Sequence, residues 1–254
     1  MTITGGIDIG ASSLKLVVLE NLSIIKREVV PATFRPLDTA RDFLALVPKG
    51  SPIFATGFGR DLLDTEFNMP TITEIKAHAL GARFLFPKCE TVIDIGGQDL
   101  KIINLDTKGK VARFEMNERC AAGTGKFLEI MAQRLGYTVS DFSKAAEAGR
   151  DSVTISAMCT VFAESEVVGL INRGFSREDI SRALHRSVAK RIAAMYKRLD
   201  SESSVTVATG GGARNSALLA LLGETLSTII QSSDDSQLAG ALGCALSAIP
   251  SVIS

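Results

Sequence analysis

The sequence predicts an α/β protein built from two similar lobes with a cleft between them. Residues 7–19 align without a gap on residues 93–105, at the constant offset of 86 that separates Asp8 from Asp94, and seven positions are identical. Segments with apolar residues at three-and-four spacing surround the two copies, which is typical of amphipathic helices. The chain has 254 residues, 46% hydrophobic and 22% charged, so it is long and apolar enough to bury two cores.

Each copy of the repeat predicts a β-hairpin. An apolar strand ends in Asp-x-Gly, a short polar turn follows, and a second strand rich in Val, Ile and Leu comes next. A third candidate strand follows in both copies, Ser23 to Val30 in the first and Lys110 to Met116 in the second. Each lobe is therefore expected to open with a three-stranded meander.

Helical and strand patterns occupy the rest of the chain. Helices are predicted over Thr73 to Phe86, Gly125 to Leu135, Thr160 to Asn172, Arg177 to Leu199, Ser216 to Leu222 and Gln237 to Ile249. Strands are predicted over Ile53 to Thr56, Val205 to Thr209 and Leu226 to Ile230. Mixed strands and helices in each half are typical of the α/β class. Pro87 interrupts the first helix, so the hinge between the lobes is expected near Phe86 to Glu90.

The charge balance argues against a polyanionic partner. Lys and Arg together number 28, as do Asp and Glu, so there is no net field to attract nucleic acid or an anionic membrane surface. The N-terminus lacks the basic start and apolar run of a secretory signal, and no apolar run approaches the roughly 20 residues of a membrane span. We therefore expect a cytoplasmic protein that binds neither nucleic acid nor membrane.

The two hairpin turns suit the phosphate tail of a nucleotide. Gly and Ser leave backbone N–H groups free for phosphate oxygens, and two facing turns could hold β- and γ-phosphates from opposite sides. Asp8 and Asp94 precede the turns, where a carboxylate can hold hydrated Mg²⁺ or orient a water. A single Asp-x-Gly could merely close a turn, but its repetition favours function. Lys15 and Lys101 either neutralise phosphate or point outward from an alternating strand.

A third glycine-rich turn lies between Thr209 and Asn215. Three glycines follow an apolar strand and precede a helix, where the backbone can approach a ligand at a helix N-terminus. Such turns are common in α/β proteins, so this one is weak evidence alone. Neither Gly-Lys-Ser/Thr nor Gly-x-Gly-x-x-Gly accompanies it, so the P-loop and Rossmann signatures are absent.

Two cysteine motifs narrow the interpretation. Asn-Glu-Arg-Cys-Ala-Ala-Gly-Thr-Gly-Lys-Phe-Leu-Glu at 117–129 and Met-Cys-Thr-Val-Phe-Ala-Glu-Ser-Glu at 158–166 resemble the activators of 2-hydroxyacyl-CoA dehydratases and the ATPase subunits of benzoyl-CoA reductases. The three turns resemble the phosphate-1, phosphate-2 and adenosine motifs of the acetate kinase, sugar kinase, heat-shock ATPase and actin superfamily. The resemblance covers the chain end to end. It implies a two-lobed, ribonuclease-H-like duplicated ATPase fold with ATP or ADP in the cleft.

The resemblance also implies lobe boundaries, a cluster and partners. The first lobe would comprise residues 1–88 together with a C-terminal helix, 237–254, that crosses back onto it, and the second lobe residues 89–236. In that family the two motif cysteines of each subunit, here Cys120 and Cys159, ligate one [4Fe–4S] cluster shared by a homodimer. Ferredoxin or flavodoxin would reduce the cluster, and ATP would drive the electron into an iron–sulfur dehydratase or reductase.

The surroundings of the cysteines agree with this implication. Cys120 lies just before the helix predicted from Gly125, and Cys159 lies directly before the helix predicted from Thr160; a helix N-terminus stabilises a thiolate. A cubane needs four thiolates, and a two-fold axis would supply the second pair. Cys89, at the start of a strand, and Cys244, among small apolar residues, are expected to be structural.

Three sets of site residues follow from the motifs and the resemblance. Catalysis is assigned to Asp8, Asp94 and Gln98, and both aspartates are assigned to Mg²⁺ through water. Nucleotide binding is assigned to Gly10, Ser12, Ser13, Lys15, Gly96, Gly97, Gln98, Asp99, Gly123, Gly125, Gly210, Gly211, Gly212 and Asn215. The cluster is assigned to Cys120 and Cys159. His78 and His185 have no evident metal partner and are expected in core or surface positions.

Two other functions remain open on the sequence. The chain could be a small-molecule kinase of the same superfamily, acting on a sugar or amino sugar, with a carboxylate as general base on a substrate hydroxyl. It could also be an actin-like assembly or regulatory protein that uses nucleotide only as a switch. Colour separates these functions, because a brown protein after anaerobic purification is expected only with an iron–sulfur cluster.

Overall fold

The structure is a computed structural model that describes residues 2–118, 120–156, 159–199 and 203–249. These residues form two β-sheets with helices packed on their faces, as the α/β prediction requires. Arg119 and Met158 of the two cysteine motifs lie outside the described residues, as do residues 250–254 of the predicted C-terminal helix.

The first sheet contains the first copy of the repeat. Its strands are β1 (Ile3–Ile9), β2 (Ser13–Glu20), β3 (Ser23–Pro31) and β4 (Ile53–Thr56). They lie in the order β3-β2-β1-β4. The first three form the predicted antiparallel meander, and β4 pairs parallel to β1.

The second sheet repeats this arrangement strand for strand. Its strands are β5 (Thr91–Ile95), β6 (Leu100–Leu105), β7 (Val111–Asn117), β8 (Thr206–Thr209) and β9 (Ile230–Gln231). They lie in the order β7-β6-β5-β8-β9. As β4 pairs parallel to β1, so β8 pairs parallel to β5, and β9 extends the edge beyond β8. The 86-residue repeat is therefore the sequence trace of a duplicated sheet.

Nine α-helices join these strands within the described residues. They are α1 (Pro36–Ala45), α2 (Arg60–Phe67), α3 (Glu74–Leu85), α4 (Gly125–Arg134), α5 (Val139–Ala148), α6 (Thr160–Asn172), α7 (Arg177–Arg198), α8 (Ser216–Leu226) and α9 (Ala239–Ser247). Thr73, Thr138 and Ser176 begin three of them, because each side-chain oxygen accepts a hydrogen bond from a first-turn N–H. Among the described helices, none combines the length and apolarity that crossing a membrane requires.

Two sequence predictions differ from the structure near the C-terminus. The strand predicted over Leu226 to Ile230 is wrong, because α8 continues to Leu226 and ends on Ser227 in the left-handed conformation, with φ +54°. Only its last residue enters a strand, β9. The helix predicted from Gln237 instead begins as a 3-10 turn, Asp234–Leu238, and continues as α9.

Two helices cross between the sheets and fix their relation. One face of the first sheet is covered by α1 and α2, and the other by α9. One face of the second sheet is covered by α4 to α8, and the other by α3, which comes from the first half of the chain. Where α3 and α9 meet, a Cβ on Gly81 would lie 2.0 Å from a backbone oxygen of α9, and one on Gly243 would lie 1.9 Å from a backbone oxygen of α3. Glycine is therefore required at both contacts.

Candidate functional site

A cleft of about 1150 Å³ lies where the two hairpin turns face each other. It is lined by the predicted catalytic and nucleotide residues with one exception: Asp8, Gly10, Ser12, Ser13, Lys15, Asp94, Gly96, Gly97, Gln98, Asp99, Gly125, Gly210, Gly211, Gly212 and Asn215. The exception is Gly123, which lies in the loop after Cys120, where a Cβ would be 3.8 Å from Cβ of Arg191. The structure thus places Gly123 with the cysteine segment.

The two turns of the hairpins have the same geometry and touch each other. The N–H of Gly10 donates to the carbonyl of Ser13 over 3.1 Å, and the N–H of Gly96 donates to the carbonyl of Asp99 over 3.0 Å. A Cβ on Gly97 would lie 2.0 Å from Oγ of Ser12. The turns therefore approach as closely as glycine permits, at one end of the cleft.

The repeat extends further than the sequence alignment reveals. Thr56 is the strand neighbour of Asp8, and Thr209 is the strand neighbour of Asp94. Each threonine is followed by a glycine with positive φ, +98° and +79° respectively. A Cβ on these glycines would lie 2.6 Å and 2.5 Å from Oδ1 of the neighbouring aspartate. Both carboxylates are therefore enclosed by a hairpin on one side and a Thr-Gly turn on the other.

Each aspartate forms a buried ion pair with the lysine opposite it in the hairpin. Lys15 Nζ lies 2.9 Å from Oδ2 of Asp8, and Lys101 Nζ lies 3.2 Å from Oδ2 of Asp94. Burial acts to lower the pKa of Lys15, but the carboxylate of Asp8 outweighs it and raises the pKa above its usual value. The outward-pointing alternative for these lysines is therefore wrong.

Lys101 differs from Lys15 in having three carboxylate partners. Its Nζ lies 2.6 Å from Oε2 of Glu74 on α3 and 2.7 Å from Oδ2 of Asp99, in addition to Asp94. Burial opposes its charge, but these carboxylates raise its pKa well above the usual value. Glu74, which the sequence did not single out, has its pKa raised by burial despite the lysine. The second half of the site is thus held to α3 by a buried ion cluster.

His78 also reaches Asp94 from α3. Its Nδ1 lies 3.2 Å from Oδ1 of Asp94 and 3.0 Å from Oγ1 of Thr209, and the residue is buried. Burial would raise the pKa of Asp94, but His78 and Lys101 outweigh it and hold the pKa below its usual value. The expectation of a core position is met, but this core position lines the cleft.

The glycine-rich turn forms the opposite wall and is braced from behind by Asn215. The turn is a 3-10 segment, Gly211–Arg214, that leads into α8. Oδ1 of Asn215 accepts from the N–H of Leu218 over 2.9 Å, and its Nδ2 donates to Nε2 of His185 over 3.0 Å. Burial lowers the pKa of His185 to about 4, so this imidazole stays neutral and accepts that bond. Asn215 therefore stabilises the wall with both ends of its amide.

The four cysteines divide into two exposed and two buried residues. Cys120 and Cys159 are exposed, whereas Cys89 and Cys244 are buried. Burial raises the pKa of Cys89 to about 12 and that of Cys244 well above the ordinary value. Cys159 is the residue that begins α6. Only Cys120 and Cys159 thus present accessible thiols among the described residues, as the sequence predicted.

The two exposed cysteines share a neighbour, Arg191 on α7. Burial lowers the pKa of Arg191, and Cys120 and Cys159 both oppose that shift, so both thiols lie within electrostatic reach of the guanidinium. The guanidinium also lies over the ring of Phe127 on α4, 5.5 Å from its centroid. Two accessible sulfur ligands near a fixed cation fit an anionic iron–sulfur cluster.

The cysteine segment is joined directly to the second hairpin turn. The N–H of Gly125 donates to the carbonyl of Gly96 over 2.9 Å, and the N–H of Lys126 donates to the carbonyl of Gly97 over 2.8 Å. These are the first two residues of α4. The turn that faces the cleft therefore holds the N-terminus of the helix that follows Cys120.

Comparisons with known proteins agree with this geometry. The BadF/BadG/BcrA/BcrD ATPase family matches residues 6–248. The activator of lactoyl-CoA dehydratase from Anaerotignum propionicum is 41% identical over 252 residues, which cover 96% of each chain.

Two solved structures have the same fold along the full chain. The (R)-2-hydroxyglutaryl-CoA dehydratase component A of Acidaminococcus fermentans aligns with a TM-score of 0.92 and 36% identity, over 100% of both chains. The activator of the 2-hydroxyisocaproyl-CoA dehydratase from Clostridium difficile, with bound ADPNP, aligns with a TM-score of 0.91 and 36% identity, over 99% of this chain and 96% of that one. The predicted two-lobed ATPase fold is confirmed.

Proposed function

The chain belongs to the BadF/BadG/BcrA/BcrD ATPase family, and we propose that this ATPase drives a low-potential electron from a [4Fe–4S] cluster into a partner enzyme. The observation that carries the proposal is the pair of hydrogen bonds from α4 to the second hairpin turn. They join the cleft for ATP to the segment of Cys120. A rearrangement of that turn around the γ-phosphate would move the N-terminus of α4, and with it a cluster ligand.

The nucleotide half of the site would hold Mg²⁺–ATP between the two turns. The backbone N–H groups of the turns face the cleft, as anion binding requires, and Lys15 adds a positive charge beside the first turn. Asp8 and Asp94 are the carboxylates placed for hydrated Mg²⁺ or for the attacking water, and Gln98 lies in the second turn for the same task. The glycines at 210–212 would let the adenosine approach the backbone closely.

The cysteine half would ligate one cluster on the two-fold axis of a homodimer. The exposure of Cys120 and Cys159, their placement before α4 and α6, and the positive charge of Arg191 near both support this assignment. When bound, the cluster would supply one electron at low potential. Two thiolates from each chain complete its four ligands, so the site is whole only in the dimer.

The partners follow from the relatives. Activators of lactoyl-CoA and 2-hydroxyisocaproyl-CoA dehydratases are among them, as is one of the subunits of the benzoyl-CoA reductase from Thauera aromatica. The acceptor proposed for this chain is therefore an iron–sulfur dehydratase or reductase of that type. A ferredoxin or flavodoxin would be the electron donor, because each carries single electrons at low potential.

Iron content after anaerobic purification tests the proposal. The wild-type protein should be brown, with one cubane for every two chains, and Cys120→Ala or Cys159→Ala should abolish the colour. Cys89→Ala and Cys244→Ala are the matched controls and should retain the iron, because both thiols are buried. A colourless wild-type protein that phosphorylates a small hydroxyl substrate would establish the kinase alternative instead.

A further inference from the structure

A buried histidine lies between the two halves of the cleft and touches only one of its two aspartates. His78 is carried by α3, and its Nδ1 lies 3.2 Å from Oδ1 of Asp94 and 3.0 Å from Oγ1 of Thr209. Both partners belong to the second sheet, whereas α3 follows the first. The imidazole is thus a cross-link between the two lobes at the carboxylate itself.

The partners of Nδ1 establish that this nitrogen carries a hydrogen. The hydroxyl of Thr209 donates to Oδ1 of Asp94 over 3.3 Å, so it offers Nδ1 only the lone pairs of its oxygen. The carboxylate oxygen of Asp94 can only accept. Nδ1 of His78 is therefore the donor to this pair, and Nε2 lies on the opposite side of the ring.

The first half of the site lacks an equivalent histidine at the corresponding helix. The crossing helix on the first sheet is α9, and it brings Gly240 to Asp8. A Cβ on Gly240 would lie 3.0 Å from Oδ2 of Asp8 and 3.1 Å from Nε2 of His78. The two halves therefore match in Asp, Lys and Thr-Gly but differ in the residue that the crossing helix presents to the carboxylate.

We propose that His78 is a positioning residue for ATP hydrolysis, which orients the carboxylate of Asp94 through the hydrogen bond from Nδ1. The inference rests on the proposed role of Asp94 at the Mg²⁺–ATP tail. A carboxylate oxygen accepts more than one hydrogen bond, so Oδ1 can be held by Nδ1 and Thr209 while lone pairs remain for a water. Because the turns bind the phosphates through backbone groups, the loss of this bond should affect the chemical step more than ATP binding.

Three variants of the full chain separate the two ring nitrogens. Asparagine places an amide nitrogen where Nδ1 lies, glutamine places one near Nε2, and alanine removes both. In steady-state ATP hydrolysis His78→Asn should keep kcat within about threefold of wild type, whereas His78→Gln and His78→Ala should lower it at least about tenfold. The KM for ATP should be unchanged in all three, and retained binding of ADPNP would verify that each variant is folded.

Each other outcome overturns the inference in an identifiable way. If His78→Asn is as slow as His78→Ala, or all three variants retain the wild-type kcat, the bond from Nδ1 has no role in hydrolysis. If only His78→Gln recovers, the functional atom is Nε2, which faces Asp8. Asp94→Asn in the same assay separates the two levels, because a wild-type rate there would contradict the proposed role of Asp94. A slow Asp94→Asn with a fast His78→Ala would contradict only the role of His78.

Discussion

Replacing Lys101 by methionine should destabilise the protein more than the same change at Lys15. The two lysines occupy equivalent positions in the repeat, and methionine keeps an unbranched chain of similar length in either space. Lys101 Nζ lies within 3.2 Å of three carboxylates, those of Glu74, Asp99 and Asp94. Lys15 Nζ pairs with Asp8 alone at 2.9 Å. The comparison therefore isolates the number of carboxylates that each ammonium neutralises.

The magnitude follows from what each substitution leaves behind. Removing one partner of a buried ion pair costs about 3–5 kcal/mol, because the other charge stays buried without compensation. Lys15→Met leaves one such carboxylate. Lys101→Met leaves three, whose oxygens lie within 4.8 Å of one another, so repulsion adds to the lost attraction and places the cost at the upper end. For a chain of this size about 5 kcal/mol corresponds to a fall in Tm of about 10–20 °C.

The pH dependence supplies the decisive control. In the Lys101→Met variant, burial and like charges raise the carboxylate pKa values in the folded state above those in the unfolded state, so folding takes up protons as pH falls. The deficit relative to wild type should therefore shrink between pH 8 and pH 5. In the wild type the pKa of Lys101 is raised above its unfolded value of about 10.5, so its contribution is complete at both pH values and is lost only in strong alkali.

Thermal unfolding without nucleotide, in the presence of a chelator, measures both effects. The expected order of Tm at pH 8 is wild type, then Lys15→Met, then Lys101→Met. If Lys101→Met is at least as stable as Lys15→Met, or if its deficit is the same at pH 5 as at pH 8, the ion cluster does not hold α3 to the second sheet as described.

Three further predictions concern the site and the packing. Asp8→Asn should lower ATP hydrolysis at least tenfold, about 1.4 kcal/mol of barrier, with iron content unchanged; phosphate release at the wild-type rate would remove Asp8 from the Mg²⁺–ATP site. In denaturant unfolding, Gly243→Ala should cost about 1–3 kcal/mol, because its methyl meets a carbonyl of α3 at 1.9 Å, whereas Gly169→Ala meets nothing within 4 Å and should stabilise α6 by up to about 1 kcal/mol; equal effects would contradict the close helix crossing. Burial and a pKa of about 12 should protect Cys89 from alkylation at pH 8 in the native, cluster-free protein, while exposed Cys120 reacts; modification of Cys89 by mass spectrometry before unfolding would contradict its burial.

The sequence predicted those parts of the fold whose signal is local or repeated. Thr160 to Asn172 was predicted to the residue, because Cys159 and the glycine after Asn172 and Arg173 bound an apolar run. By contrast α1 and α2 were not predicted. The helix α2 buries only Leu63 completely, so its pattern contains too few apolar positions to be distinguished from a loop. The strand predicted from Leu226 failed because the left-handed Ser227 ends a helix that the β-propensity of the segment does not favour.

The candidate site was predicted where the repeat marked it and missed where it depends on distant contacts. Asp8, Lys15 and their counterparts are visible because two copies can be aligned. Glu74 and His78 belong to a single-copy helix, and the bond from His78 to Thr209 spans 131 residues. Neither periodicity nor spacing in one sequence indicates such a contact, since only the crossing of α3 onto the second sheet brings these residues to Asp94.

The rate at which a chelator removes iron from the reduced protein tests the coupling between ATP and the cluster most directly. If the second hairpin turn holds α4, closure around the γ-phosphate must move the ligand segment, so the rate should change on addition of ATP or ADPNP and stay unchanged with AMP. A coupling free energy of about 1–3 kcal/mol would alter the rate by about fivefold to more than a hundredfold. Equal rates with ATP, with AMP and without nucleotide would show that the two sites are independent and would contradict the proposed function.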